Sequence, residues 1–140
     1  MENKTADRAT PKMPDERRKK AAEWGRLGEE ITRDYLVKQG HPITEMNWRC
    51  GGKLEVDIIS RQGDEMVFIE VKTRNGRFNS AEDAITEKKI KQLVKAANAY
   101  LQMQSRVYDA RFDVALIEGS PADYEFTYIQ NAFIPPLTAR

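Results

Sequence analysis

Four residues in one short stretch have types and spacing suited to chemistry. "EVDIISRQGDEMVFIEVKTR", residues 55 to 74, carries Glu55, Asp57, Glu70 and Lys72. The pattern alternates on either side of "QGD", so it predicts two strands, Lys53 to Arg61 and Glu65 to Arg74, joined by a tight turn. Alternation places Leu54, Val56 and Ile58 on one face of the first strand and Glu55, Asp57 and Ile59 on the other. On the second strand Val67, Ile69 and Val71 share a face, with Phe68, Glu70 and Lys72 opposite. A register that sets Asp57 beside Glu70 gathers the carboxylates and Lys72 on one side of the sheet. Two carboxylates about 4 Å apart repel by roughly 4 kcal/mol at an effective dielectric of about 20, so one of them takes a proton unless a cation stands by. Lys72 is one such cation, and a hard divalent ion, Mg²⁺ or Mn²⁺, is the other. An ion held there beside a lysine is equipment for phosphodiester hydrolysis. The plainer reading is solvated charge: Asp, Glu, Lys and Arg make up 32% of the chain, so an E-x-K triplet arises readily by chance.

The elements that must position these groups follow from periodicity. From about Asp15 to Gln39, Trp24, Leu27, Ile31 and Tyr35 recur at helical spacing, and Gly40 stands where a helix stops. Gly25 and Gly28 cost this helix about 1 kcal/mol each relative to alanine, which implies close packing against a neighbour. "HPITEMNWRC" predicts a first strand ahead of the hairpin, closed by a "GG" turn. In "SAEDAITEKKIKQLVKAANAYLQM", Ile90, Leu93, Val94, Ala97, Tyr100 and Leu101 form one stripe, Ser80 and Asp83 resemble a capping pair, and Lys88, Lys89, Lys91 and Lys95 decorate the opposite side. "RFDVALIEG" and "YEFTYIQNAF" predict two more strands around a turn at Pro121. The order α-β-β-β-α-β-β predicts an α/β fold with one mixed sheet and helices packed on it.

Composition bounds the function. A chain of 140 residues with a formal net charge of +1 suits one domain and no global attraction to polyanions or membranes. Residues 1–14 read as a disordered polar tail and 15–140 as a single domain. No apolar run approaches the length of a membrane span and the N-terminus is polar, so the expected location is cytoplasmic, with no membrane partner. The lone Cys50 and lone His41 make no zinc site. Cys50 is expected in the core, and His41 in a capping or packing role.

"LEVDII" followed by "VFIEVKTR" resembles the bipartite D…(D/E)-x-K signature of the restriction-endonuclease-like superfamily. More closely, the chain is similar to the YraN-like family of predicted nucleases, relatives of archaeal Holliday-junction resolvases. The matching pieces are "GRLGEEITRDYL" at 25 to 36, "NWRC" at 47 to 50, the two strands, "RFDVALI" at 111 to 117 and "NAF" at 131 to 133. This likeness implies a restriction-endonuclease-like α-β-β-β-α-β core with a mixed central sheet flanked by helices. It implies a metal-dependent endonuclease acting on DNA, with Mg²⁺ or Mn²⁺ bound by Asp57, Glu70 and the backbone carbonyl of Val71. Lys72 would aid the attacking water, and Glu29 on the first helix would complete the site. Glu55 matches the acid of the family's "G-E-I-D" stretch, where an outer-shell and a salt-bridged role fit equally. The chain departs from the pattern at Leu54, where glycine is usual, and at Tyr128, where histidine is common. A homodimer is an implication of the analogy with resolvases, and no segment demonstrates it.

Substrate contacts would come from Thr73, Arg74 and Arg77 after the E-x-K strand, and from Lys88 with its neighbours on the second helix. These contacts hold a backbone without reading bases, so branched or processed DNA suits them better than a base-specific target. "RRKK" at Arg17 to Lys20 is either a solvated helix start or a phosphate-contacting cluster, and Trp24 and Trp48 either fill the core or stack on bases. The sequence leaves DNA and RNA undistinguished, and a non-catalytic nucleic-acid-binding module with the same fold stays open.

Overall fold

The computed structural model describes residues 15–78 and 84–135. The elements run α1 (Asp15–Lys38), β1 (Ile43–Cys50), β2 (Leu54–Gln62), β3 (Glu65–Arg74), α2 (Glu87–Gln102), β4 (Asp109–Ser120) and β5 (Asp123–Ile129). The strands form one sheet in chain order, antiparallel throughout except where β3 pairs in parallel with β4. A parallel pair needs a crossover, and α2 supplies it.

Each helix covers one face. Against α1 lie Ile58, Val67, Ile69, Ala115 and Ile117. Against α2 lie Val56, Ile59, Met66, Phe68 and Phe112, packed on Leu93, Val94, Ala97 and Tyr100. The fold is therefore an α/β mixed sheet with helices on both sides, consistent with a restriction-endonuclease-like core. The polar tail expected at 1–14 and the capping pair Ser80–Asp83 lie outside the described residues. The cap observed on α2 is Thr86, whose hydroxyl accepts the Lys89 N–H at 3.1 Å.

The buried residues of α1 are Trp24, Gly28, Thr32 and Leu36, spaced four apart. Gly28 is the contact point. A Cβ there would lie 2.3 Å from Thr73 Cγ2, so only glycine lets α1 settle onto the end of β3. Gly25 is looser, with Thr73 Oγ1 at 3.9 Å. The helix ends in a Schellman arrangement: Gly40, at φ +82°, and His41 donate to the carbonyls of Val37 and Leu36.

Asp113 organises the far side of the sheet. Fully buried on β4, it accepts from Arg111 through both carboxylate oxygens, from the Tyr128 hydroxyl at 2.6 Å and from the Asn131 N–H at 2.8 Å. "NAF" closes this corner. Asn131 turns at φ +51°, Ala132 N–H donates to Phe112, and Phe133 stacks on Phe112 at 5.1 Å. Cys50, expected in the core, is only half-buried because it ends β1 at the sheet's edge.

Candidate active site

Strict alternation on β2 fails at Asp57. Val56 and Ile59 face α2 while Ile58 faces α1, so the expected grouping of Val56 with Ile58 is wrong. The same slip occurs on β1, where Met46 faces α1 and Trp48 faces α2. Between them Asn47 adopts φ +52°. In the β1–β2 register Asn47 lies across from Asp57, flanked by the pairs Met46–Ile58 and Trp48–Val56. Two facing irregularities bend the ladder locally and re-aim the Asp57 side chain toward β3. There its Oδ2 accepts the Val71 N–H at 2.8 Å.

The register expected for the hairpin holds. Ile58 pairs with Ile69, so Asp57 and Glu70 occupy the next positions along the two strands. Glu70 is 3% exposed. Its Oε2 lies 3.4 Å from Lys72 Nζ and 3.8 Å from Lys89 Nζ, while its Oε1 is buried without a hydrogen-bond partner among the described residues. Burial, with the charge of Asp57 added, pushes the Glu70 carboxyl up to about 7 against the pull of Lys89 and Lys72. Asp57 is raised too, chiefly by burial, and the Val71 N–H works against that shift. Near neutral pH the two acids therefore compete for one proton, as like charges do in a shared low-dielectric site.

Lys89 corrects the reading of α2. It does not join Lys88, Lys91 and Lys95, which are exposed. Helical spacing assigns its turn correctly, but that turn overhangs the end of β3 and so brings the ammonium to Glu70.

On the α1 side, Glu29 accepts a hydrogen bond from Asn47 Nδ2 at 3.1 Å. Its carboxyl is raised, first by burial and then by Asp57 and Glu55, and the Asn47 bond opposes this. Glu29 thus feels Asp57 electrostatically while its own oxygen is engaged by Asn47. Among the described residues no three acidic, histidine or cysteine side chains converge into a metal cage. Glu55 pairs with Arg49 at 3.7 Å directly across the strands, the salt-bridged alternative of its two expected roles. Asn47 was missed by sequence reasoning. Its signal was faint: asparagine is the side chain that best tolerates a left-handed backbone after glycine.

The expected substrate contacts separate. Thr73 packs against α1. The Arg74 guanidinium lies 5.4 Å over the Phe78 ring. Arg77 pairs with Glu125 of β5 at 2.6 Å, away from Glu70, and Lys88 stands in solvent. Trp24 and Trp48 pack as core residues, Trp24 edge-on to Tyr124 and Trp48 edge-on to Tyr100.

Residues 28–117, which hold the first helix's Glu29, the Asp57–Glu70 pair and Lys89, match the family model described as "Uncharacterised protein family UPF0102". The chain belongs to the UPF0102 family. A UPF0102 protein of Phocaeicola vulgatus is 40% identical over 116 residues, covering 82% of this chain and 95% of its own. One from Hahella chejuensis is 38% identical over 123 residues, covering 86% and 98%. One from Christiangramia forsetii is 38% identical over 112 residues, covering 79% and 93%. The YraN-like resemblance and the membership of UPF0102 agree. Among the described residues of this UPF0102 member, no helix is long and apolar enough to cross a membrane.

Proposed function

We propose that this UPF0102 member is a metal-dependent endonuclease that hydrolyses phosphodiester bonds in DNA and selects its substrate by structure rather than by base sequence. The observation that carries the reading is Glu70 Oε1, a buried carboxylate oxygen without a partner among the described residues, beside a second, half-buried acid, Asp57. A buried acceptor is costly to leave unmatched, and two hard oxygen donors on adjacent strands suit Mg²⁺ or Mn²⁺. Asp57, Glu70 and the Val71 carbonyl are the groups that would hold such an ion. When bound, the ion would neutralise charge on the scissile phosphate and acidify a water.

The remaining work belongs to the chain. The Val71 N–H fixes one Asp57 oxygen, so that carboxylate is oriented before any ligand arrives. Lys72 holds Glu70 Oε2 and is one-third exposed, so its ammonium can contact both the acid and an incoming water or phosphate oxygen. Lys89 approaches the same oxygen from α2 and offsets the negative charge of the pair. Attack by water would form a new P–O bond as an ester P–O bond breaks, with the water's proton passing to a neighbouring base and the leaving alkoxide taking one. Glu29, oriented by Asn47, is the proposed fourth member on the α1 side.

The test uses the full chain with linear duplex, single-stranded and four-way-junction DNA in Mg²⁺ or Mn²⁺. Cleavage of at least one form is expected, and Asp57→Asn should abolish it. Calorimetric titration of Mn²⁺ should show binding that the Asp57→Asn, Glu70→Gln double variant lacks. Failure to cut any of these substrates, together with no heat from Mn²⁺, would end the proposal.

A further inference from the structure

A second concavity lies at the other side of the β3 terminus. Helix α1 is 24 residues long, about 36 Å, yet its burial begins only at Trp24. Its first turns therefore overhang the sheet, and the stripe that packs farther along presents Arg17 and Lys20 there instead. Facing them are Arg74 at the end of β3 and the β4–β5 turn around Pro121. Together they enclose a cleft of about 680 Å³, in the size range of sites for small organic ligands.

Two independent features point to what it holds. Three of its lining side chains are cations, Arg17, Lys20 and Arg74, against one carboxylate, Glu23. None of the three cations has a carboxylate within salt-bridge distance among the described residues, unlike Arg77 and Arg111. The second feature is Trp24. It lines the same cleft, is 8% exposed, and its buried indole N–H has no acceptor among the described residues. Leu27 and Pro121 supply apolar wall beside the indole. A site that sets guanidinium and ammonium groups beside apolar surface from Trp24, Leu27 and Pro121 matches a phosphate joined to a planar ring.

We infer that the cleft between the α1 overhang, the end of β3 and the β4–β5 turn binds a nucleotide, its phosphate on Arg17, Lys20 and Arg74 and its base against Trp24. The ligand is either a free nucleotide or one unit of a single strand, and the phosphate and base chemistry is common to both. The inference does not depend on hydrolysis at Asp57 and Glu70.

The test follows the indole N–H resonances of the full chain by NMR, assigned with Trp24→Phe, in the Asp57→Asn background so that no strand is cut. Thymidine monophosphate should shift the Trp24 signal saturably and leave that of Trp48 in place. The Arg17→Ala, Arg74→Ala double variant should bind at least about tenfold more weakly, the loss expected when charge-assisted hydrogen bonds are removed. Tighter binding of a thymidylate hexamer than of the monomer would assign the cleft to a strand, and equal or weaker binding to a free nucleotide; both uphold the inference. Thymidine or inorganic phosphate binding as tightly as the nucleotide, an unmoved Trp24 signal, or unchanged affinity in the arginine variant would each overturn it. Because cleavage is silent in this background, these results stand apart from those for the proposed nuclease.

Discussion

Glu70 should make the metal-free protein less stable as pH rises. Its carboxyl sits at about 7 in the folded chain against an ordinary value of 4.5, so between these pH values the folded state keeps a proton that the unfolded state has released. The contribution is fully present below about pH 4.5 and is lost as pH rises through 7. At about 1.36 kcal/mol per pH unit, that interval amounts to about 3 kcal/mol. Glu70→Gln removes the titration while keeping the shape, and Lys72 and Lys89, with side chains 33% and 32% exposed, can take water in place of the lost anion. Urea unfolding of both proteins in chelator at pH 5 and pH 8 isolates the effect. The wild type should lose up to about 3 kcal/mol more than the variant over this range. The difference reports the pair, since Asp57 is relieved by the same substitution. Parallel pH dependences in the two proteins would refute the assignment of a shared, proton-poor site.

Three further outcomes follow from contacts elsewhere. Lys89→Met should move the midpoint of that pH-dependent difference upward, because a cation that lowers the Glu70 pKa is gone, whereas Lys88→Met should leave it in place. Gly28→Ala should destabilise by up to about 2 kcal/mol, overpacking of roughly 1–3 offset by about 1 of helix propensity. In a Thr73→Ser background, which lacks the atom 2.3 Å away, the same change should be neutral or stabilising in urea melts, and an additive double-mutant cycle would contradict the contact. Asp113→Asn should cost about 3–5 kcal/mol by the same assay, since it strands the buried side of the Arg111 pair, while Tyr128→Phe should cost about 1.

Much of the frame was legible in the residues. The bounds of β3 follow from unbroken alternation between a turn and a charged end, and the stop of α1 from Gly40, because both signals are local. The packing role of Gly28 was also legible, since a helix tolerates such a residue only for a reason. The bend at Asp57 was not. Alternation assumes a straight strand, and the slip depends on Asn47 and Asp57 meeting across two strands. Lys89 escaped for a related reason: periodicity sorts the residues of α2 into stripes but does not say which turn crosses the end of β3. Arg77 was assigned toward the phosphates from its proximity in sequence, whereas its partner, Glu125, arrives from a strand formed some fifty residues later.

Strand β3 lies in the middle of the sheet, with neighbours paired along both edges and a helix over each face. The β2 pairing of β3 ends at Ile69, and beyond it the Val71 N–H is held by the Asp57 carboxylate instead of by a strand partner. The candidate centre therefore stands where the β2–β3 ladder opens, with the β4 edge of β3 still paired. A shift of edge strand β1 would therefore reach the acids, since its Asn47 lies across from Asp57 and holds Glu29.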